Sequence, residues 1–270
     1  MDAVESAYPF PGKFYRERYE KIAKTVTETL PVGAKILDFG AGPCEITAIL
    51  SHLGYKCTAY DDFQDEWLNR DGAKEKAFAF AKSFGVNIVE ATSRTLPFEK
   101  ESFDMFMLHD VLEHIYDSPR HLLNDGVECV KPNGYLFATL PSLVNLRKRL
   151  SVLRGETNLP GYALYYWYPK VYRGPMREYT KSDFKYLNEF LGLKMVRLEN
   201  VHHMISRVPN HLRTLYKIGT AIIPDSKDSW SYVGQKPENW VPKRELDIEE
   251  WQESILKKTQ RLHRKNEKLL

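Results

Sequence analysis

Short apolar runs alternate along the chain with longer segments in which apolar residues recur every three or four positions. The short runs predict β-strands, and the longer segments predict amphipathic helices. Six strands are predicted in this way, at Lys35–Phe39, Cys57–Tyr60, Val86–Ala91, Phe103–Leu108, Tyr135–Leu140 and Leu193–His202. The predicted helices are Phe14–Leu30, Glu45–Leu53, Gln64–Phe84, residues 118–130, residues 180–191 and Pro209–Ile223. Regular alternation of this kind is typical of an α/β domain with a largely parallel sheet.

The segments outside this alternation divide the chain into three parts. Residues 1–33 hold an irregular lead-in and the first helix, residues 34–237 the main domain, and residues 238–270 a tail. Residues 143–179 form an insertion inside the main domain. Its first half is basic and amphipathic, and its second half is rich in tyrosine, so we expect it to cover a site and select a substrate.

The tail predicts a helix from Leu246 onward, because that segment lacks proline and glycine. Ile248, Ile255, Leu262 and Leu269 recur every seven residues, with Trp251 beside the first of them. Three roles stay open for this helix. It packs on its own domain, pairs with a partner helix in a homodimer, or lies on an anionic membrane surface.

Composition narrows the class of protein only moderately. The chain has 270 residues, 43% of them hydrophobic, which is enough for one large α/β domain. A net charge of +3 is too small to indicate nucleic-acid binding by itself. Three cysteines, Cys44, Cys57 and Cys129, lack metal-binding spacing and predict reduced thiols. With neither a signal peptide nor an apolar run of about 20 residues, the cytoplasm is the expected compartment.

The stretch Ala34–Asp62 carries the clearest functional signal. A strand ends in Gly40-Ala41-Gly42, a helix follows, and a second strand ends in Asp61. This order is that of a nucleotide-binding βαβ unit, in which the terminal acid accepts both ribose hydroxyls. Glu45 stands where a dinucleotide fingerprint requires its third glycine, and no Lys-Ser/Thr pair follows the turn, so a phosphate loop is excluded.

The acid-x-Gly-x-Gly pattern of Asp38, Gly40 and Gly42 resembles the first motif of class I S-adenosylmethionine (SAM) methyltransferases. SAM has an ammonium, a sulfonium and no phosphate, so an acid beside the glycine turn is suitable chemistry. Cys44 departs from the pattern, since many members of the family have glycine there. The resemblance implies SAM as cofactor and a Rossmann-like seven-stranded sheet with helices on both faces. Its last strand, at Ser229–Pro237, would be antiparallel.

A second resemblance covers the next part of the chain. Leu-Pro-Phe at residues 96–98 and Ser-Phe-Asp at residues 102–104 are similar to methyltransferases of ubiquinone and menaquinone biosynthesis. In that family an acid before Leu-Pro-Phe holds the adenine amino group, and Thr92 and Ser93 occupy its place. The resemblance also implies that Leu108 and His109 line the cofactor pocket.

Candidate catalytic residues follow the fourth strand. His109 is the preferred base for an acceptor hydroxyl, because histidine titrates near the working pH, and His114 is a second candidate. In an alternative interpretation, Glu113 and His114 are structural and stabilise the turn after the fourth strand. His202 and His203 are further candidates, with burial as the alternative. Asp110, Glu113 and His114 would share one helical face and resemble a divalent-ion motif, but the prediction is that no metal is bound.

Two basic segments complete the list of candidates. Tyr15 and Arg18 on the first helix would reach the SAM carboxylate, with a solvated helix face as the alternative for Arg18. The basic residues of the insertion would meet a phosphate or uronate, or would simply face solvent. They are Arg147, Lys148, Arg149 and Arg154. The aromatic residues of the insertion would stack on sugar or quinoid rings, or form its own core.

The sequence Arg177-Glu178-Tyr179-Thr180 resembles a segment of bacterial polysaccharide-associated methyltransferases. We therefore expect methyl transfer to a hydroxyl of a sugar, glycan or glycolipid. Two alternatives stay open. One is O-methylation of a quinone precursor or another small aromatic, and the other is a SAM-binding scaffold or regulator without turnover.

Overall fold

A computed structural model describes residues 1–10, 12, 14–93, 95–156, 159, 161–168, 172, 174–245 and 252. The strands are β1 Lys35–Phe39, β2 Lys56–Asp61, β3 Asn87–Glu90, β4 Phe103–His109, β5 Val130–Pro141, β6 Lys194–Val201 and β7 Ser229–Gln235. The helices are α1 Asp2–Ala7, α2 Arg16–Thr29, α3 Glu45–His52, α4 Ala73–Ser83, α5 Arg120–Glu128, α6 Leu146–Leu153, α7 Tyr162–Tyr166, α8 Lys181–Phe190 and α9 Arg213–Ile222.

Within these residues the strands form one sheet in the order β3-β2-β1-β4-β5-β7-β6. Strand β7 pairs antiparallel with both β5 and β6, and the other pairs are parallel. The predicted fold class, a mostly parallel sheet with an antiparallel last strand, is confirmed.

The central strands β1 and β4 are buried on both faces, as their continuous apolar sequences require. One face packs against a core that includes residues of α2, α3 and α4. The other face packs against residues of α5 and α8. Helix α5 approaches the sheet closely because residue 126 is glycine. A Cβ there would stand 1.9 Å from a ring carbon of Phe106.

The direction of strand addition reverses between β1 and β4, which are hydrogen-bonded neighbours. Phe39 pairs with Leu108, so the turn that begins at Gly40 lies beside His109. In open α/β sheets ligands bind at the carboxyl ends of strands at such a reversal. The fold therefore places the glycine turn and the candidate base at the same edge.

Three predicted elements differ from the structure. The lead-in contains helix α1, whose Val4 is buried in the core. The helix predicted at Gln64–Phe84 begins only at Ala73, because Asp71 and Gly72 have positive φ angles of 55° and 67°. The helix predicted at Pro209–Ile223 starts with a 3₁₀ turn, and the α-helix runs over Arg213–Ile222.

The predicted C-terminal helix falls on residues 246–270, of which only residue 252 is described, so it stays a prediction. Residues 238–245 are described and are not helical. They lie against α5, where Arg244 Nη2 is 2.7 Å from both Asp125 Oδ1 and Glu128 Oε2. The boundaries of the three predicted parts also stay predictions. Searched over the described residues, the helices include none that is long and apolar enough to cross a membrane.

Candidate functional site

A pocket of about 410 Å³ opens at the carboxyl edge of the sheet. Its walls come from the turn after β1, the end of β4, helix α2 and the segment after β2. Among its lining residues are five that the sequence singled out, Tyr15, Arg18, Asp38, His109 and Asp110, together with Gly40 and Gly42.

The turn after β1 has the backbone that a close ligand requires. Gly40 and Gly42 have positive φ angles of 72° and 51°. Cys44, where the family pattern has glycine, adopts the same left-handed region with φ 67°. The substitution therefore retains the glycine-type conformation at a position where other residues are strained.

Asp61 lies behind this turn and fixes it. Its Oδ2 accepts the Gly42 N–H at 2.8 Å, and its Oδ1 accepts the Phe63 N–H at 2.6 Å. Burial raises the pKa of Asp61, and these two hydrogen bonds oppose the rise. Each oxygen keeps acceptor capacity for a further donor.

Asp38 is almost fully buried at the end of β1 and accepts a hydrogen bond from the Thr47 hydroxyl. Its burial raises the pKa of Asp38 to about 7. The carboxyl group therefore changes its charge near neutral pH, beside the glycine turn.

A second buried acid in the pocket wall was missed by sequence reasoning. Glu45 accepts hydrogen bonds from the hydroxyls of Tyr8 and Tyr19. Burial raises the pKa of Glu45 as well. The sequence did show Glu45 at a position where a dinucleotide fingerprint has glycine. Its partner Tyr8 was not predicted, because Tyr8 directly follows helix α1, which the apolar pattern did not predict.

Arg18 reaches the pocket from α2. Its Nη1 lies 2.7 Å from Asp110 Oδ2, while its buried Nε has no hydrogen-bond partner among the described residues. The alternative of a solvated face for Arg18 is wrong, because only 12% of its side chain is exposed. The guanidinium thus offers a spare donor inside the site.

His109 is the last residue of β4 and is buried in the pocket wall. Its Nδ1 lies 2.9 Å from Thr139 Oγ1, and its buried Nε2 meets no hydrogen-bond partner in the part of the chain that the structure describes. Burial, followed by the charge of Arg18, holds the pKa of His109 well below its usual range. The imidazole is therefore neutral at physiological pH.

Glu113 and His114 lie in a 3₁₀ turn after β4. Burial and the nearby Asp110 raise the pKa of the Glu113 carboxyl to about 9, so this acid is protonated at neutral pH. His114 is about half-exposed and is not a lining residue of the pocket. Asp110 pairs with Arg18. Over the part of the chain that the structure describes, no cluster of three or more metal-ligating side chains is found.

The residues predicted to contact adenine lie outside the pocket lining. Thr92 and Ser93 follow β3 and are exposed, and the Ser93 hydroxyl donates to the Thr95 carbonyl at 2.9 Å. Leu108 is fully buried in the sheet. The roles predicted for these three residues stay predictions.

The second pair of histidines lies beyond β6, on the α2 side of the site. His202 Nδ1 is 3.2 Å from Asp228 Oδ2, and its Nε2 is 3.1 Å from Thr220 Oγ1. His203 is buried, and its desolvation lowers the pKa of His203 to about 3. The burial of His203 agrees with the alternative that the sequence left open for this residue.

The insertion is anchored to the turn after β4. The Glu113 carbonyl accepts the Met176 N–H at 2.6 Å, and the Tyr179 hydroxyl donates to the Leu112 carbonyl at 3.4 Å. Lys148 on α6 pairs with Glu178. The aromatic residues of α7 are exposed, but their rings also contact one another, with centroids 5.9 Å apart for Tyr162 and Tyr166 and 4.8 Å apart for Tyr166 and Trp167.

The glycine turn contacts the same segment from the other side. A Cβ at Gly40 would stand 2.4 Å from Cγ2 of Val111. The turn after β1 and the turn after β4 are therefore in direct van der Waals contact.

The pocket suits SAM on the chemistry of its own residues. Asp38 and Glu45 beside the glycine turn favour a ligand with positive charge and disfavour a pyrophosphate. The Nε of Arg18 matches a carboxylate. Asp61 lies behind the glycine turn and is not one of the lining residues of the pocket, but its remaining acceptor sites match ribose hydroxyls.

Comparison with known proteins agrees with this assignment. Residues 37–138 match the family model described as a methyltransferase domain. Uncharacterized methyltransferases from Mycobacterium sp. strains JLS and KMS are 28% identical over 131 residues. This match covers 46% of the chain and 48% of those proteins, so the chain spans about half the length of these relatives.

Solved structures share the fold over most of the chain. A SAM-dependent methyltransferase from Aquifex aeolicus superposes with a TM-score of 0.53 at 14% identity, covering 87% of this chain and 97% of that one. A protein from Pyrococcus horikoshii superposes with a TM-score of 0.54 at 18% identity, covering 86% and 95%. Residues 37–138 thus match a methyltransferase domain, and the chain shares the fold of SAM-dependent methyltransferases.

Proposed function

We propose that this chain transfers a methyl group from SAM to a hydroxyl of a sugar, glycan or glycolipid. The observation that carries the proposal is the buried, unpartnered Nε2 of His109, which lines the same pocket as the glycine turn. A neutral imidazole at the edge of a cofactor pocket is suited to accept a proton from a hydroxyl group.

The chain's own residues would hold the cofactor at three points. Asp61 accepts from the ribose, Arg18 donates to the carboxylate, and Asp38 provides a negative charge near the cationic groups. Bound SAM supplies an activated methyl group, so the protein mainly contributes position and exclusion of water.

His109 then acts at its Nε2. The Thr139 hydroxyl fixes the orientation of the ring through Nδ1. With Nδ1 as donor to Thr139, Nε2 presents a lone pair that takes the proton of the acceptor hydroxyl. Its low pKa keeps His109 unprotonated across the physiological pH range, but also makes it a weaker base than the ordinary histidine that the sequence predicted.

The insertion supports a sugar-containing acceptor. Its segment at Arg177–Thr180 is the part that resembles polysaccharide-associated methyltransferases, and it begins where the Met176 and Arg177 N–H groups bind Glu113. Exposed tyrosines and Trp167 on the same insertion are side chains that stack on sugar rings. The acceptor would therefore approach the pocket along the insertion, which is anchored to the turn after β4.

Labelled SAM tests the proposal. The full chain is incubated with lipid, polysaccharide and small-molecule fractions of cells, and the label is located. We expect label in a lipid or polysaccharide fraction that survives mild alkali, which removes a methyl ester but leaves the methyl ether of a sugar hydroxyl intact. Label in a small aromatic product would favour the quinone-type acceptor and contradict the glycan, whereas SAM binding without label in any fraction would support the scaffold alternative.

The same assay includes two controls. His109→Gln is compared with His121→Gln, a substitution on the exposed part of α5 outside the pocket. A parallel reaction contains EDTA. We expect activity to persist in chelator, and restoration of lost activity by Mg²⁺ or Mn²⁺ would show that a divalent ion takes part.

A further inference from the structure

The outer side of the insertion and of α9 exposes an unusually apolar surface. On α9, Leu215, Ile218 and Ile222 occupy positions i, i+3 and i+7, and 68%, 53% and 74% of these residues is exposed. On α6, Leu150 and Leu153 are also exposed. We call these five side chains the lid face.

Helices α6 and α9 pack together through their inner sides. Leu146 of α6 packs against a small core of Ile205, Val208 and Tyr216, and Leu146 Cδ2 is 3.1 Å from the point that a Cβ at Gly219 would occupy. Arg149 Nη2 donates to the Pro224 carbonyl at 3.0 Å, directly after α9. The exposed apolar residues of α6 and α9 therefore lie on two helices that pack directly against each other.

Charge distinguishes this structure from the rest of the chain. The whole chain is nearly balanced, with 39 Lys and Arg against 36 Asp and Glu. Residues 143–155 and 205–223, which contain the two helices, have no Asp or Glu at all. Their basic residues are Arg147, Lys148, Arg149, Arg154, Arg207, Arg213 and Lys217.

Within the described residues, two of these positive charges are bound by backbone carbonyls instead of carboxylates. Arg149 donates to the carbonyls of Val144 and Pro224, and Arg213 donates to those of Val208 and Ser206. Two others do meet acids, since Lys148 pairs with Glu178 and Arg154 with Glu156. The helix pair retains a net positive charge around the lid face.

Helix α7 adds aromatic side chains next to α6 in the chain. Its tyrosines and the following Trp167 are exposed, Trp167 to 77%. Rings of this kind are amphipathic and are enriched where a protein meets the polar boundary of a bilayer.

We propose that the lid face docks on an anionic lipid surface. Exposed aliphatic side chains, an excess of cations over acids, and Trp and Tyr nearby in the chain are the features by which a helix lies in a membrane interface. Neutral protein surfaces would leave the excess positive charge unmatched. Helices α6 and α9 follow the carboxyl ends of β5 and β6, so docking would turn the pocket's edge of the sheet toward the lipid.

Docking would bring a lipid-linked sugar to the pocket at the membrane surface. That consequence rests on the proposed function, whereas the docking itself rests only on the lid face. The two are therefore separable: a chain that binds vesicles without methylating a lipid retains the docking surface and loses the proposed acceptor.

Vesicle flotation with the full chain tests the docking. The vesicles contain phosphatidylcholine alone, or phosphatidylcholine with about 30% phosphatidylglycerol. We expect binding to the anionic vesicles, at least about tenfold weaker binding to neutral ones, and release as salt rises to about 1 M, where charges are screened. Equal binding to both vesicle types, or none to either, overturns the proposal.

Matched variants locate the contact. Leu215→Asp/Ile218→Asp/Ile222→Asp should reduce binding to anionic vesicles at least about tenfold. Val32→Asp, at an equally exposed apolar residue between α2 and β1, should leave it unchanged. Unaltered SAM affinity shows that each variant is folded. Should the triple variant fail this check, Arg207→Glu/Lys217→Glu replaces it, since both residues are exposed.

Light scattering addresses the other occupants of the lid face. A concentration-dependent dimer that the triple variant dissociates, together with absence of vesicle binding, assigns the face to a second copy of the chain and overturns the proposal. Vesicle binding that survives in both sets of variants overturns it as well.

Discussion

The Arg18 guanidinium lies 2.7 Å from the Asp110 carboxylate and joins helix α2 to the turn after β4. Both side chains are largely shielded from solvent, and Asp110 has a positive φ of 55°. Two walls of the pocket are therefore connected by one charge pair. Removing one partner of such a pair leaves the other charge without compensation.

Replacement of Arg18 should weaken SAM binding. Arg18→Gln removes the charge-assisted donor that we assign to the cofactor carboxylate, at a cost of about 1.5–3 kcal/mol, or roughly 10- to 150-fold in affinity. Calorimetric titration with SAM measures this change. Lys24→Gln, at an exposed position on the same helix, is the control, and equal affinities of the two variants would contradict the role of Arg18.

Asp61 and Asp62 offer a matched pair of adjacent acids. Asp61→Ala should lower SAM affinity, since it removes the acceptor for the ribose and releases the Gly42 N–H. We expect a loss of about 1.5–3 kcal/mol per hydrogen bond to the carboxylate. Asp62→Ala, at an exposed position whose carboxylate accepts the Gln64 N–H rather than an N–H of the glycine turn, should bind SAM normally. If both variants bind like the original chain, Asp61 does not hold the cofactor.

His109→Gln should reduce turnover by roughly 10²–10⁴-fold with little change in SAM affinity. The pH profile gives a second readout. Because burial lowers the pKa of His109, turnover should not fall near pH 6.5 on acidification, as it would with an ordinary histidine. An acid limb near pH 6.5 in the original chain that disappears in the variant would show that His109 titrates normally.

Asp38 predicts a pH dependence of cofactor binding. Its pKa of about 7 means that the carboxyl group becomes negative as pH rises through neutrality, which favours a cationic ligand. SAM affinity should therefore rise roughly five- to tenfold between pH 6 and pH 8. The Asp38→Asn variant separates this effect from titration of SAM itself, because the variant should lose the contribution of Asp38 to the pH dependence of SAM affinity. If SAM affinity changes with pH equally in Asp38→Asn and in the original chain, groups other than Asp38 cause the pH dependence.

His203 predicts a pH dependence of stability. Burial lowers the pKa of His203 to about 3, so below the ordinary histidine value the unfolded chain binds a proton that the folded chain does not. Stability should consequently fall as pH drops from about 6.5 toward 3, by about 2 kcal/mol at pH 5 from this group. Urea unfolding at pH 7 and pH 5 measures the loss, and His203→Gln should reduce the difference. A difference that His203→Gln leaves intact would show that other groups cause it.

The apolar pattern predicted six of the seven strands, and the seventh, β7, followed from the family resemblance. Each strand that the runs predict is present, with ends shifted by a few residues, because continuous apolar runs such as residues 103–108 are compatible only with burial on both faces. The glycine turn was also predictable, since its residues are adjacent in the chain and have conformations that glycine favours. Helix starts were less predictable, as Ala73 shows, because a turn with positive φ leaves little trace in an apolar pattern.

Long-range partners were not predictable from the sequence. The approach of Arg18 to Asp110 depends on how α2 crosses the carboxyl edge of the sheet, and 92 positions separate the two residues. The same holds for Tyr8 and Glu45, which are 37 positions apart. Residue types indicated the chemistry of the pocket, but only tertiary packing decides which acid meets a tyrosine and which meets an arginine.

The contact between Gly40 and Val111 has a kinetic consequence. Val111 stands next to Asp110 and two residues before Glu113, whose carbonyl holds the insertion at Met176. A ligand that orders the glycine turn would therefore also order the turn after β4, to which the insertion is hydrogen-bonded. We expect an ordered sequence in which SAM binds before the acceptor and S-adenosylhomocysteine leaves last. In steady-state inhibition, S-adenosylhomocysteine would then compete with SAM but not with the acceptor.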